Sequence, residues 1–448
     1  MSQTARRKNK QVNSLSFESE IVDFSYCSES SESLVSMMDG TVAIFDRNLS
    51  TRNIPHFVDS CLYPSEHTIR FSKYLQDHHS VLVGGSGKQS YIIDSREGLS
   101  KSDDPDNEHS INAQLTFSHE EGLSVALLLG ENHIAFGGED GMISIWDTRM
   151  AKASFRKKDR THEEYITSIS VSPSGSRLAF TSEDGCFSII NTKTLEHSHF
   201  ITCSQDLEAG LTSSVFFHHA RTSAVTFEKS DIEWEPSLCL CLGNTPLESL
   251  LFFRDGEYGS TPFTTVKHSR SKTHPSAANV LVRWNDEIIL SGGTDGAIRA
   301  MTLFPYEELL FVGDHKGGMD GCQGIEISPD RSEIASYALT KKLKFWSTKA
   351  LLESEPSASD MSDSEDEESE SLENSSNSLG DSSDSVSEEM TSDSEEDSDE
   401  SPSPPPQKQK RTVSGSYSQR TQQVKPRKNR KGKAQKGVSK MQRFLSQL

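Results

Sequence analysis

The chain has 448 residues, with 46 Lys and Arg against 67 Asp and Glu and a formal net charge of −21 at pH 7. Composition breaks near Leu352: positions 353–400 hold 20 acidic residues and no Lys or Arg, whereas 407–448 hold 13 Lys and Arg and no acid. Positions 1–352 keep 33 basic against 47 acidic residues, which argues against a broad phosphate-binding surface there but leaves ample chain for a large core.

In chain order, one hairpin pattern recurs. Residues 34–46 alternate apolar and polar side chains around Asp39-Gly40, and 81–94 do so more loosely around Gly84-Gly85-Ser86-Gly87. Residues 137–149 are the clearest copy: Gly141 can take the positive φ a tight hairpin needs, and the Asp140 carboxylate can hold the local backbone. Further copies span 178–191 (Asp184-Gly185), 289–301 (Asp295-Gly296) and 334–346 (near Thr340). The turn markers are 48, 53, 44, 111 and 45 residues apart. The long step implies a hidden repeat between Thr192 and Asn279, built from segments such as 213–217, 223–227, 238–242 and 250–253, without an Asp-Gly turn. Seven units of this length, rich in β-branched and aromatic alternation, predict an all-β, seven-bladed propeller of four-stranded blades. A ring needs closing, so Asn13–Glu18 is expected to be the outer strand of the last blade. The predicted organisation is a disordered basic N-terminus (1–12), the propeller (13–352), an acidic Ser-rich disordered segment (353–406) and a basic disordered tail (407–448).

Seven cysteines without a C-x-x-C pair, a basic polar N-terminus and no apolar run of ~18 residues predict an intracellular, soluble, reduced protein with no membrane span. Cys239 and Cys241 read as alternate strand residues, and the His78-His79 and His218-His219 pairs lack partners at metal-ligand spacing. The glycines before Lys88 miss the phosphate-loop pattern at Leu82 and Gln89. No catalytic residue, cofactor site or metal site is expected, and no enzyme activity. In the tails, Ser362 and Ser364 precede acids and suit an acid-directed kinase. Lys425, Arg427, Lys428, Arg430, Lys431 and Lys433 form a cluster suited to nuclear import or to RNA phosphates.

Trp146-Asp147, the Asp-Gly turns and the Ser-Pro turns at Ser172 and Ser328 resemble the WD-repeat propellers. That resemblance implies a hydrogen-bonded set of His, Ser or Thr, Asp and Trp in each blade. Here the sets are incomplete: His119, Asp140 and Trp146 with Gly138; His162, Ser182 and Asp184 with Ile190; His315, Ser336 and Trp346 with Thr340. The segments 162–166, 183–186, 293–300 and 343–346 more narrowly resemble the WD repeat-containing protein 55 family. This implies a non-catalytic scaffold of the nucleus and nucleolus, also found in the cytoplasm. Its work would be ribosomal RNA processing and large-subunit assembly, as a monomeric propeller bound to pre-ribosomal proteins and, through its tail, to ribosomal RNA. A second resemblance stays open beside it. Trp146, Asp147 and Arg149 match the W-D-x-R pattern of cullin-RING ubiquitin ligase substrate receptors, implying adaptor docking; otherwise Asp147 and Arg149 simply cap a strand end as an ion pair. Histone binding by the acidic tract is a third reading.

Overall fold

The computed structural model describes residues 11–354 except 52, 65, 101–110, 150–151, 157–161, 195, 203–209, 220–237, 259–260, 270–275, 304 and 316–320. The expected sites at Ser362, Ser364 and 425–433 lie outside the described residues.

Among the described residues, twenty-eight strands form seven antiparallel sheets of four. Six sheets take their strands in simple sequence order, over 21–62, 69–118, 123–156, 166–202, 211–267 and 278–314. The innermost strands neighbour one another in a closed circle, so the sheets are blades of a seven-bladed β-propeller. Alternation along each strand sends one set of apolar side chains to each face, and neighbouring blades bury both. One seam packs Leu82, Phe117, Phe136 and Leu123 together; another packs Ala179, Phe187, Leu240 and Phe253. Polar groups reinforce the seams near the axis. The backbone N–H of Ser72 donates to Asp23 at 2.9 Å, that of Ser214 to Ser168 at 3.2 Å, and that of Leu281 to Ser213 at 3.0 Å.

The hidden repeat is the fifth blade, with strands Leu211–His218, Leu238–Asn244, Ser249–Arg254 and Thr264–Lys267. Segment 223–227 lies outside the described residues. The central turn needs no glycine: Asn244 Oδ1 accepts the Leu247 N–H at 2.9 Å, and Glu248 takes φ +50°.

The seventh blade is closed by the N-terminal strand, Gln11–Ser16, which lies antiparallel to Lys342–Ser347 with Leu15 opposite Leu343. The strand runs two residues earlier than the expected Asn13–Glu18. It is held on its other edge as well, where the Asn53 N–H donates to the Ser14 carbonyl at 2.9 Å and the Ser16 N–H to the Asn53 carbonyl at 3.2 Å.

Candidate functional site

The propeller has two ends. At one lie the turns between second and third strands and the connections between blades. The turn device is repeated there: Asp39, Asp140, Asp184 and Asp295 each accept the backbone N–H two residues on, at 3.0, 3.1, 2.7 and 3.1 Å. Gly141 follows at φ +79°, and a Cβ there would stand 2.3 Å from the His162 carbonyl oxygen, so only glycine lets the blades approach.

The histidines of the inter-blade connections reach these blades in different ways. In blade 7, Trp146's counterpart Trp346 donates its indole N–H to Ser336 Oγ at 2.8 Å, and Ser336 meets His315 Nε2 at 2.8 Å. In blade 4, His162 Nε2 meets Ser188 at 2.8 Å rather than Ser182, whose hydroxyl donates to the Glu164 carbonyl at 3.0 Å. His119 meets Ser90 of blade 2 at 2.9 Å, and in blade 3 it faces the ring of Phe136, which stands where blades 6 and 7 carry Ser291 and Ser336. His268, which the motif reading passed over, meets Ser291 at 2.9 Å. Burial, aided by the nearby Arg299, pushes His268 down to about 4. Burial, aided by Lys344, does the same to His315.

At the other end, the third strand of a blade finishes on an acidic or amide residue that caps the following turn. Asp147 receives the Arg149 backbone N–H at 2.9 Å and its guanidinium at 2.9 and 2.6 Å. The same device stands in blade 2, where Asp94 holds Arg96 at 2.9 and 2.5 Å. The guanidinium hydrogen bond holds each carboxyl down at about 2. Both arginine side chains remain mostly exposed, at 64% and 62%, so two guanidinium groups face solvent on adjacent blades. Arg96 also borders a cleft of about 400 Å³ between blades 1 and 2, whose walls include Glu29, Val58, Asp59 and His78. His78 Nε2 lies 3.2 Å from Glu29 there, with its backbone at φ +63°.

The three residues expected at the W-D-T-R end therefore divide. Trp146 packs edge-on against Phe117 at 5.3 Å in the seam between blades 2 and 3, and its N–H donates to Ser144 at 3.0 Å. Asp147 is buried as a cap, and Arg149 alone is largely exposed. The recurrence at Asp94 and Arg96, visible in the sequence as D-S-R, makes the pair a strand-end device of this fold, and its geometry singles out no ligase adaptor. Cys239 and Cys241 sit buried in an apolar cluster with Phe252 and Leu281, where burial pushes the Cys239 thiol up to about 12. Among the described residues, no helix is long and apolar enough to cross a membrane.

The sequence matches the family described as WD domain, G-beta repeat, over residues 154–191. It is similar to the human WD repeat-containing protein 55, at 25% identity over 64% of this chain and 64% of the relative. The Arabidopsis thaliana protein of the same name is 24% identical over 54% of this chain and 60% of the relative. A fungal relative, the WD repeat-containing protein JIP5 of Malassezia globosa, is 24% identical over 74% of this chain and 79% of the relative. The chain thus spans just under two thirds of the human relative's length and more of the fungal one. Seven four-stranded blades, four Asp-capped turns and a His-Ser-Trp relay make the chain a seven-bladed β-propeller, of which residues 154–191 match the WD-repeat model.

Proposed function

We propose that the protein is a non-catalytic scaffold of nucleolar ribosome biogenesis, acting in ribosomal RNA processing and large-subunit assembly. The observation that carries this reading is the similarity to WD repeat-containing protein 55 from both animals and plants across the propeller. Rigid blade ends hold pre-ribosomal proteins, while Lys425, Arg427, Lys428, Arg430, Lys431 and Lys433 direct the chain to the nucleus and add electrostatic attachment to RNA. The end bearing Arg96 and Arg149 is the docking face we favour, since exposed guanidinium groups suit carboxylate or phosphate partners. Depletion should raise large-subunit ribosomal RNA precursors, and the tagged chain should concentrate in nucleoli. Normal precursor levels together with no nucleolar signal would overturn the proposal. The double variant Arg96→Ala/Arg149→Ala should keep its melting transition and lose co-purifying proteins; unchanged co-purification removes this face from the reading.

A further inference from the structure

Blade 4 differs from its sisters at its central turn. His162 enters from the connection after blade 3, and Asp184 and Cys186 flank Gly185. One ligand atom from each of the three, a ring nitrogen, a carboxylate oxygen and the thiol sulfur, lies within 4.8 Å of the others. His162 Nδ1 stands 3.7 Å from Asp184 Oδ2. That is too long for a good hydrogen bond, and near the ligand-to-ligand edge around a tetrahedral ion with bonds of about 2.0–2.3 Å.

The three groups are also aimed. The Glu163 N–H donates to Asp184 Oδ2 at 2.8 Å and the Cys186 N–H to Oδ1 at 2.7 Å. Ser188 engages the far nitrogen of His162 at 2.8 Å, the kind of outer contact that orients a ligating imidazole and sets its tautomer.

Comparison with blade 6 shows what blade 4 lacks. There the turn residue Asp295 is neutralised by Arg299, four positions on, at 2.5 Å, and Ala297 stands two positions on. In blade 4 the corresponding residues are Ser188 and Cys186, so a built-in cation is replaced by a hydroxyl and a methyl group by a thiol. The exposed Glu163 and Glu164, in the same connection, add negative charge beside His162.

We propose that His162, Asp184 and Cys186 bind a zinc ion that ties the connection into blade 4 to that blade's central turn. A mixed nitrogen, oxygen and sulfur donor set suits zinc, with water as the fourth ligand. Carboxylate and thiolate together balance the +2 charge, and the thiol proton passes to solvent, one for each ion bound.

The test titrates the full-length chain with Co²⁺ as a spectroscopic probe. One equivalent should produce a thiolate-to-cobalt charge-transfer band that Zn²⁺ then bleaches. Cys186→Ser should abolish the band and weaken binding at least tenfold, with circular dichroism confirming the fold. The same band and stoichiometry in that variant, or no band in the wild-type chain, overturns the site. Without any variant, Zn²⁺ should slow alkylation of Cys186 at least tenfold by mass spectrometry, and an unchanged rate overturns it equally.

Discussion

Arg177 of blade 4 places its guanidinium 3.3 Å from the carboxylate of Asp255 in blade 5, with both side chains almost fully buried. Tyr258 completes the arrangement, its hydroxyl donating to Asp255 Oδ1 at 2.8 Å. Asp255 follows the third strand of its blade as Asp94 and Asp147 end theirs, but its arginine comes from the neighbouring blade rather than from two residues on. The pair therefore pins one blade to the next. Asp255→Ala would leave the guanidinium buried and uncompensated, and should cost about 3–5 kcal/mol in denaturant unfolding. The double variant Arg177→Met/Asp255→Leu should recover most of that loss. A single-variant cost below about 1 kcal/mol would mean that water reaches the pair.

The buried histidines give the fold an acid sensitivity. His268 and His315 titrate near 4 when folded and near 6.5 when unfolded, so the unfolded chain binds more protons between those values. Stability is then complete above pH 6.5 and falls as pH drops toward 4, by on the order of 2–3 kcal/mol for each histidine. Ser336 Oγ accepts the Trp346 N–H and meets His315 Nε2 at 2.8 Å, a contact that the neutral imidazole can make as readily as the charged one. In His268→Gln and His315→Gln the slope of unfolding free energy against pH over this window should flatten. Slopes equal to the wild type would remove these groups from the account.

Why some of this was legible in the sequence, and some not, follows from the range of each interaction. The turns at Asp39, Asp140, Asp184 and Asp295 are local, an aspartate bonding two residues on, so their chemistry is written in adjacent letters. Asn244 caps the blade 5 turn by bonding three residues on, without Asp-Gly, and only the repeat spacing hinted at that blade. His268 was detectable, because it precedes Asp295 by 27 residues, close to the 21 and 22 separating His119 from Asp140 and His162 from Asp184. The choice of Ser188 over Ser182 by His162 was not, since it depends on which way each strand faces its neighbour. Arg177 and Asp255, 78 residues apart on different blades, leave no local trace.

Glu326, on the innermost strand of blade 7, should act against the histidines. Burial, aided by the nearby Asp23, raises its carboxyl to about 7, although Lys73 pulls it down. Its Oε2 has no hydrogen-bond partner among the described residues. With the folded value above the unfolded 4.5, the native state holds the extra proton, so this group costs stability as pH rises from 4.5 to 7. Glu326→Gln should therefore raise stability at pH 7.5 by on the order of 1–3 kcal/mol and change little at pH 4. A variant less stable than the wild type at pH 7.5 would show that the carboxylate is held by more than Lys73.

The ring closure makes the last prediction. Leu15 and Phe17 are buried, and Phe17 lies 5.6 Å from Phe45 and 6.1 Å from Phe57 of blade 1. The closing strand thus joins the first and last blades by packing as well as by backbone pairing. Deleting residues 1–19 would bare the edge at Lys342–Ser347 and the apolar seam beneath it, so a large fall in melting temperature is expected. Phe17→Ala alone should cost about 3–5 kcal/mol. Asn53 separates the second clasp from the first: its backbone sits at φ +69°, a region that asparagine and glycine tolerate better than residues with a plain Cβ. Asn53→Gly should be nearly neutral and Asn53→Ala should cost about 1 kcal/mol. If the deletion left the melting transition unchanged, the ring would be closing through other contacts; equal stability of Asn53→Gly and Asn53→Ala would show separately that the positive φ at Asn53 carries no cost.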